Sequence, residues 1–274
     1  MNEKRNQLHR VLKSEVLFFD KDGICTIADK DSKVSRELAN SIAKQLSCET
    51  REGSRISGQR AGSLFEKAVE QFVFSSLPDL LDVRPGLRPG EGLKRIDGYY
   101  QFFHLQELAK LSVQHPEFSA ALGSDYVIKP DIVVARVVDE AALLELDHEF
   151  IESSAADLFA HRKVAPLLHA SISAKWTMRL DRVQNARAMA LNLMRNRKGR
   201  VPHICVVTAE PVPARLASIA LGTGDIDCVY HAFLPELLRA TQDCGYDDAR
   251  ELLNVMVDGR RLKDIADLPW DLAV

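Results

Sequence analysis

The strongest constraint on the fold is a run of seven residues, Ile132-Val133-Val134-Ala135-Arg136-Val137-Val138, apolar at every place but one. A strand with one face in water alternates apolar and polar residues, whereas a continuous β-branched run belongs to a strand covered on both faces. His203–Thr208, with Ile204, Val206 and Val207, makes the same demand, and Leu168–Thr177 alternates in strand fashion. The covering layers are legible as well. Ser35–Glu49 places Leu38, Ile42 and Leu46 four apart, and Ser63–Leu81 carries Leu64, Val69, Phe72 and Val73 at helical spacing. Val183–Asn196 is again helical, Pro213–Leu221 reads as a short helix, and Asp227–His231 as a short strand. The stretch Leu234–Leu268 predicts two or three helices, and the prolines and glycines of Arg84–Gly90 predict a loop. The fold class that follows is α/β, a central mixed β-sheet flanked by α-helices, in one domain over residues 1–274.

Several classes of protein are disfavoured. No apolar run approaches the roughly 20 residues that span a membrane, so no membrane partner is expected. The opening MNEKRNQLHR has no apolar core behind its charges, unlike a secretory leader. Five scattered cysteines without a C-x-x-C pair argue for reduced thiols in a cytoplasm, and against a zinc site or a disulfide framework. The formal net charge of −3 hides an asymmetry. Between Lys175 and Arg200 stand eight basic residues and one acid, so this stretch carries +7 and the rest of the chain −10. A concentrated basic stripe on an acidic protein is the footprint of a phosphate-binding face, although a solvated basic helix would have the same composition.

Chemistry enters where the strands end. Pro130-Asp131 precedes one strand and Ser173-Ala174-Lys175 closes another, with 43 residues between Asp131 and Lys175. Phosphodiester hydrolysis needs a metal to polarise the phosphate and lower the pKa of bound water. A carboxylate such as Asp131 suits a hard cation like magnesium, and an ammonium such as Lys175 can orient water and stabilise charge on the phosphate. The nuclease pattern P-D…(D/E)-x-K has Ser173 in its acidic place, so a second carboxylate must come from elsewhere. Glu66, early in the Ser63–Leu81 helix, is the first candidate and Glu70, one turn on, the reserve. Immediately after Lys175 come Arg179, Asp181 and Arg182 at a strand-to-helix junction. Arginine donates bidentately to guanine O6 and N7 while aspartate accepts from cytosine N4, so this trio suits C·G pairs. An ion-paired helix start is the plainer alternative. Trp176 reads as core.

These residues, together with the runs Leu168–Thr177, Gln184–Arg187, Arg195–Arg200, Val207–Pro211, Ile219–Gly224 and Arg261–Ile265, resemble the CCGG family of type II restriction endonucleases along nearly the whole chain. That family lies within the PD-(D/E)xK nucleases. The resemblance implies a restriction-endonuclease-like core and cleavage of double-stranded DNA at G/CCGGC with a four-base 5′ overhang. It implies a homotetramer built as a dimer of dimers, in a prokaryotic cytoplasm, beside a DNA methyltransferase acting on the same site. Asp131 would ligate magnesium, two ions per active site, with Glu66 in support and the Ala174 carbonyl as a backbone ligand. Ser173 and Lys175 would complete the catalytic group. Arg179, Asp181 and Arg182 would read the inner CCGG, Gln59 would touch its centre from the minor groove, and Asp29 and Arg215 would read the outer G·C pair. Three positions depart from the family: Leu180 and Asp31 stand for serines, and Ala174 for a cysteine. Asp31 is expected to point away from the duplex, with Lys30 and Lys33 neutralising it.

Two other readings compete. Val16-Leu17-Phe18-Phe19-Asp20-Lys21-Asp22-Gly23 imitates the nucleophile motif of haloacid-dehalogenase-type phosphatases, but the later Asp-Asp, Asp247-Asp248, opens a helix near the C-terminus. A non-catalytic DNA-binding protein would explain the basic stripe and leave Asp131, Lys175 and Glu66 without a purpose. His169 and His203 read as packed rather than catalytic, and Tyr99, Tyr100, Phe102 and Phe103 as packing a helix rather than stacking on bases.

Overall fold

In the computed structural model the described residues are 1–51, 56–84, 86–90, 95–115, 117, 129–137, 166–222 and 224–274. Pro85, Val138 and Thr223, which figure in the sequence reading, lie outside them. Six strands form one sheet in chain order: β1 Leu87–Pro89, β2 Ile132–Arg136, β3 Leu167–Lys175, β4 His203–Thr208, β5 Cys228–His231 and β6 Leu262–Asp264. β2 runs antiparallel to its neighbours β1 and β3, and β3 to β6 run parallel, so the sheet is mixed as expected. Its central strands are buried on both faces, which is why their sequences do not alternate.

Helices supply the cover. α1 (Asn2–Glu15), α2 (Lys33–Gln45), α3 (Gly58–Ser76) and α4 (His104–Gln114) precede β2. α5 (Leu180–Asn196) links β3 to β4, α6 (Pro213–Ala220) links β4 to β5, and α7 (Leu234–Asp243) and α8 (Asp247–Asp258) link β5 to β6. α9 (Leu268–Leu272) ends the chain. Local chemistry sets the starts. Ser32 and Ser57 accept from the backbone N–H groups of Ser35 and Arg60, and α6 begins on Pro213, whose missing N–H costs nothing there. α3 packs on β3, α1 on α3, and α2 on α7. One apolar cluster runs through all of them, from Leu8 to Ala273.

The structure corrects the expected elements at the sheet margins. Arg84–Gly90 is not loop throughout. Gly86, at φ +80°, makes the turn, its carbonyl accepts from Val137 N, and Leu87–Pro89 pairs with β2. A marginal strand tolerates proline because it need not donate on its outer side. Leu234–Leu268 is not helical to its end, since Leu262–Asp264 forms β6. α1, for which the sequence reading made no prediction, sinks Leu8 and Leu12 into the core. Tyr99 and Phe102 pack as expected, while Phe103 is 41% exposed.

Candidate active site

Asp131 stands one residue before β2, and the β2–β3 register sets Ile132 opposite Ile172. That pairing carries Asp131 to the end of β3. One oxygen of Asp131, Oδ2, accepts from Lys175 Nζ at 2.6 Å, from Ala174 N at 2.9 Å and from Ser173 Oγ at 3.1 Å. The other oxygen has no hydrogen-bond partner among the described residues, and the side chains of Asp131 and Lys175 are 18% and 24% exposed. The pair is therefore fixed in place yet open to solvent. Trp176, the next residue, is buried against Phe65 of α3 at 5.1 Å between ring centroids. Glu66 follows Phe65 on that helix and is half-buried, as is Glu70 one turn on.

Among the described residues no group of three or more His, Cys, Asp or Glu stands together as a metal cage. What the strand ends do offer is one rigid carboxylate with an oxygen to spare. That suits magnesium, which binds through one or two carboxylates and keeps several waters.

Beside this centre opens a cleft of about 630 Å³, lined among others by Asp29, Asp31, Trp176, Arg179, Arg182 and Arg215. It gathers segments far apart in sequence, namely the turn before α2, the start of α3, the β3–α5 junction and the start of α6. Arg179 is the exposed residue capping α5. Arg182 is tied down, donating to Thr177 Oγ1 at 2.8 Å and to the Thr177 carbonyl at 3.1 Å. Asp181 is exposed on the first turn of α5, outside the lining. Gln59, exposed on the first turn of α3, lies between Gly58 and Ala61 of the rim without lining the cleft itself.

Asp29 and Arg215, 186 residues apart, form an ion pair at 2.5 Å. The Arg215 guanidinium beside it holds Asp29 below the usual carboxylate range. Arg215 is raised in turn, the two carboxylates near it, Asp29 and Glu210, outweighing its burial. Asp31 is exposed and lines the cleft, while Lys30 pairs with Asp20 at 3.0 Å and Lys33 with Glu37 at 3.7 Å, so the two lysines expected beside it make their ion pairs elsewhere. Asp20 itself is buried, accepting from the N–H groups of Asp22 and Ile24 at 3.0 Å each. It closes a turn away from the sheet instead of presenting a nucleophile at a strand end.

The NgoMIV restriction enzyme family model matches residues 8–274. This chain belongs to the NgoMIV restriction enzyme family. The type II restriction enzyme NgoMIV of Neisseria gonorrhoeae is 46% identical over 280 residues, spanning 99% of this chain and 98% of the relative. A restriction endonuclease solved in complex with substrate DNA, PspGI, aligns over 99% of this chain and 90% of its own. At a TM-score of 0.27 and 11% identity that likeness carries no argument. As a member of the NgoMIV family the chain is a type II, site-specific endonuclease that binds double-stranded DNA. No described helix is long and apolar enough to cross a membrane.

Two residues of the site escape sequence reasoning. Thr177 reads as the tail of a strand, yet it fixes Arg182. Glu210 is completely buried and pushed up to about 7 by that burial. Its only trace is an acid followed by Pro211 just past an apolar strand. Conversely, Arg187 of the basic stripe faces Asp225 at 3.3 Å and donates to the Ser218 carbonyl at 2.9 Å, which makes it a structural tie.

Proposed function

We propose that this NgoMIV-family enzyme hydrolyses both strands of DNA at G/CCGGC with magnesium, leaving four-base 5′ overhangs. The observation that carries the chemistry is the convergence of Lys175, Ser173 and the Ala174 N–H on a single oxygen of Asp131. Three donors on one oxygen fix the carboxylate's plane and leave its other oxygen to meet a cation. Asp131, with Glu66 and the Ala174 carbonyl in support, would hold magnesium, two ions in all, and the metal would supply polarisation of the scissile phosphate and a lowered pKa for bound water. The chain's own part is positional. Asp131 holds the Lys175 ammonium where it can orient the attacking water and balance charge on the phosphate.

Sequence reading falls to the neighbouring cleft. Arg179 and Arg182, with Asp181, face the inner C·G pairs from the start of α5, and Gln59 touches the centre from α3. Asp29 and Arg215 take the outer pair, and their contact supports that assignment. On a C·G pair the cytosine amine and the guanine O6 are adjacent, so an acceptor and a forked donor must be adjacent too. The whole chain acts as one domain, assembled as a homotetramer of two dimers, in a prokaryotic cytoplasm where a methyltransferase protects the same sites. Digestion of a plasmid of known sequence with magnesium, followed by mapping of the ends, tests the reading. Cuts are expected only within GCCGGC, with ACCGGT and TCCGGA resistant. Equal cutting of all three hexamers removes Asp29 and Arg215 from the recognition set.

A further inference from the structure

We propose that Glu210 is a positioning residue for outer-pair recognition, its carboxylate locking Arg215 and the β3–α5 junction into one unit. This rests on the reading of Arg215 given above. Glu210 lies two residues past β4 and is completely enclosed. Its Oε2 accepts from Met178 N at 2.8 Å, on the segment that runs from Lys175 to Arg179. Its Oε1 accepts from Val212 N at 3.1 Å, at the start of α6, and faces Arg215 Nη1 at 3.6 Å. Its own N–H donates to Thr208 Oγ1, and its carbonyl meets His231 Nε2 at 3.0 Å. One buried side chain thus joins the element carrying the inner readers to the element carrying Arg215.

The charge on that side chain matters because of where Arg215 sits. Its guanidinium lies between two carboxylates, Nη2 toward Asp29 and Nη1 toward Glu210. A bidentate guanine contact needs two N–H groups of the planar guanidinium aimed together at O6 and N7. Asp29 and Arg215 must be neighbours to meet one C·G pair, but the fork must stay free to turn to guanine. With Glu210 neutral nothing offsets the pull of Asp29, and Arg215 is held wholly by a carboxylate itself assigned to the cytosine. Both outer-pair readers are then occupied with each other, and the outer pair is read less sharply, whereas Asp131 and Lys175 are untouched. The charged and titratable groups facing Glu210 among the described residues are Arg215 on α6, Asp29 before α2 and His231 on β5. Asp29 is held low by Arg215, and burial lowers His231 to about 4, so neither titrates near neutrality. Glu210, pushed up to about 7 by burial, does. It is neutral below that pH and charged above it, so discrimination is expected to weaken as pH falls through 7.

The experiment measures the ratio of cleavage rates on GCCGGC and ACCGGT duplexes from pH 6 to 8.5, for the wild type, Glu210→Gln and Arg215→Ala. Taking a ratio cancels the pH dependence of the hydrolytic step. The expected wild-type ratio drops at least about tenfold between pH 8 and pH 6. Glu210→Gln is expected to show the low ratio at every pH, at unchanged melting temperature within a few degrees. A ratio in Glu210→Gln that matches the wild type at pH 8, while Arg215→Ala lowers it, overturns the role of Glu210 and leaves the Arg215 reading intact. If Arg215→Ala also keeps the wild-type ratio, the Arg215 reading itself is wrong. Should Glu210→Gln fail to fold, the wild-type profile alone decides, and a ratio flat from pH 6 to 8.5 overturns the proposal.

Discussion

At the scale of single residues the site divides into groups that do chemistry and groups that aim. Asp131→Ala removes the carboxylate on which Lys175, Ser173 and the Ala174 N–H converge. Loss of that charge is expected to lower cleavage at least about a thousandfold, since metal-assisted stabilisation is worth several kcal/mol. Gel-shift affinity for the specific duplex should persist, and substantial cutting by this variant would remove Asp131 from the centre. Arg182→Ala is expected to cost about 1–3 kcal/mol on specific DNA and much less on random sequence. Thr177→Val tests the aiming itself. It deletes the hydroxyl that holds Arg182 at 2.8 Å while sparing the carbonyl contact, and should cost about 1 kcal/mol at the same base pair. An equal loss on random duplex would make Arg182 a phosphate anchor. The Asp131–Lys175 pair was legible in the sequence because both residues sit at the ends of recognisable strands. Glu210 was not, because only the fold shows what a lone acid behind a strand is buried against.

At the scale of elements, legibility among the strands followed length. β2 and β3 declare themselves through five and nine residues of strand. β1 and β6 have three residues each, too few to set a period, and β1 is further disguised by proline and glycine. The helices are less even: α1 has no counterpart among the predicted elements, and α3 begins five residues before the predicted Ser63 because Gly58 and Gln59 carry no apolar signal. Gly86 governs how β1 is attached. A side chain there would bring Cβ within 1.9 Å of the Val137 carbonyl oxygen, at a φ of +80° that glycine tolerates and alanine resists. Gly86→Ala is therefore expected to destabilise the fold by at least about 2 kcal/mol in urea denaturation. Base preference in the surviving folded fraction should be unchanged, because β1 lies two strands from the readers.

At the scale of the whole molecule, buried titratable groups set the pH range in which the fold survives. His169 and His231 are lowered to about 4 by burial, and each ring meets a backbone carbonyl, of Leu272 and Glu210 respectively. Their folded values lie below the ordinary 6.5, so the unfolded chain binds protons first as pH falls. Stability present above pH 6.5 is then lost toward pH 4, on the order of 3 kcal/mol per histidine. Glu210 works in the opposite sense, because its value is raised. Its contribution is present below about 4.5 and lost as pH rises through 7. Two histidines outweigh one glutamate in the acid range, so urea midpoints should fall from pH 6.5 to pH 4.5; a constant midpoint would contradict the burial of these rings. Only three residues, Trp176, Thr177 and Met178, separate Lys175 at the end of β3 from Arg179 at the start of α5. On the reading proposed here, the blade and the inner ruler are one piece of chain with no hinge between them, whereas the outer pair is read from α6 and the turn before α2. Lineages of this enzyme are thus free to drift in the flanking base they demand, while the nick stays at the same step of the CCGG core.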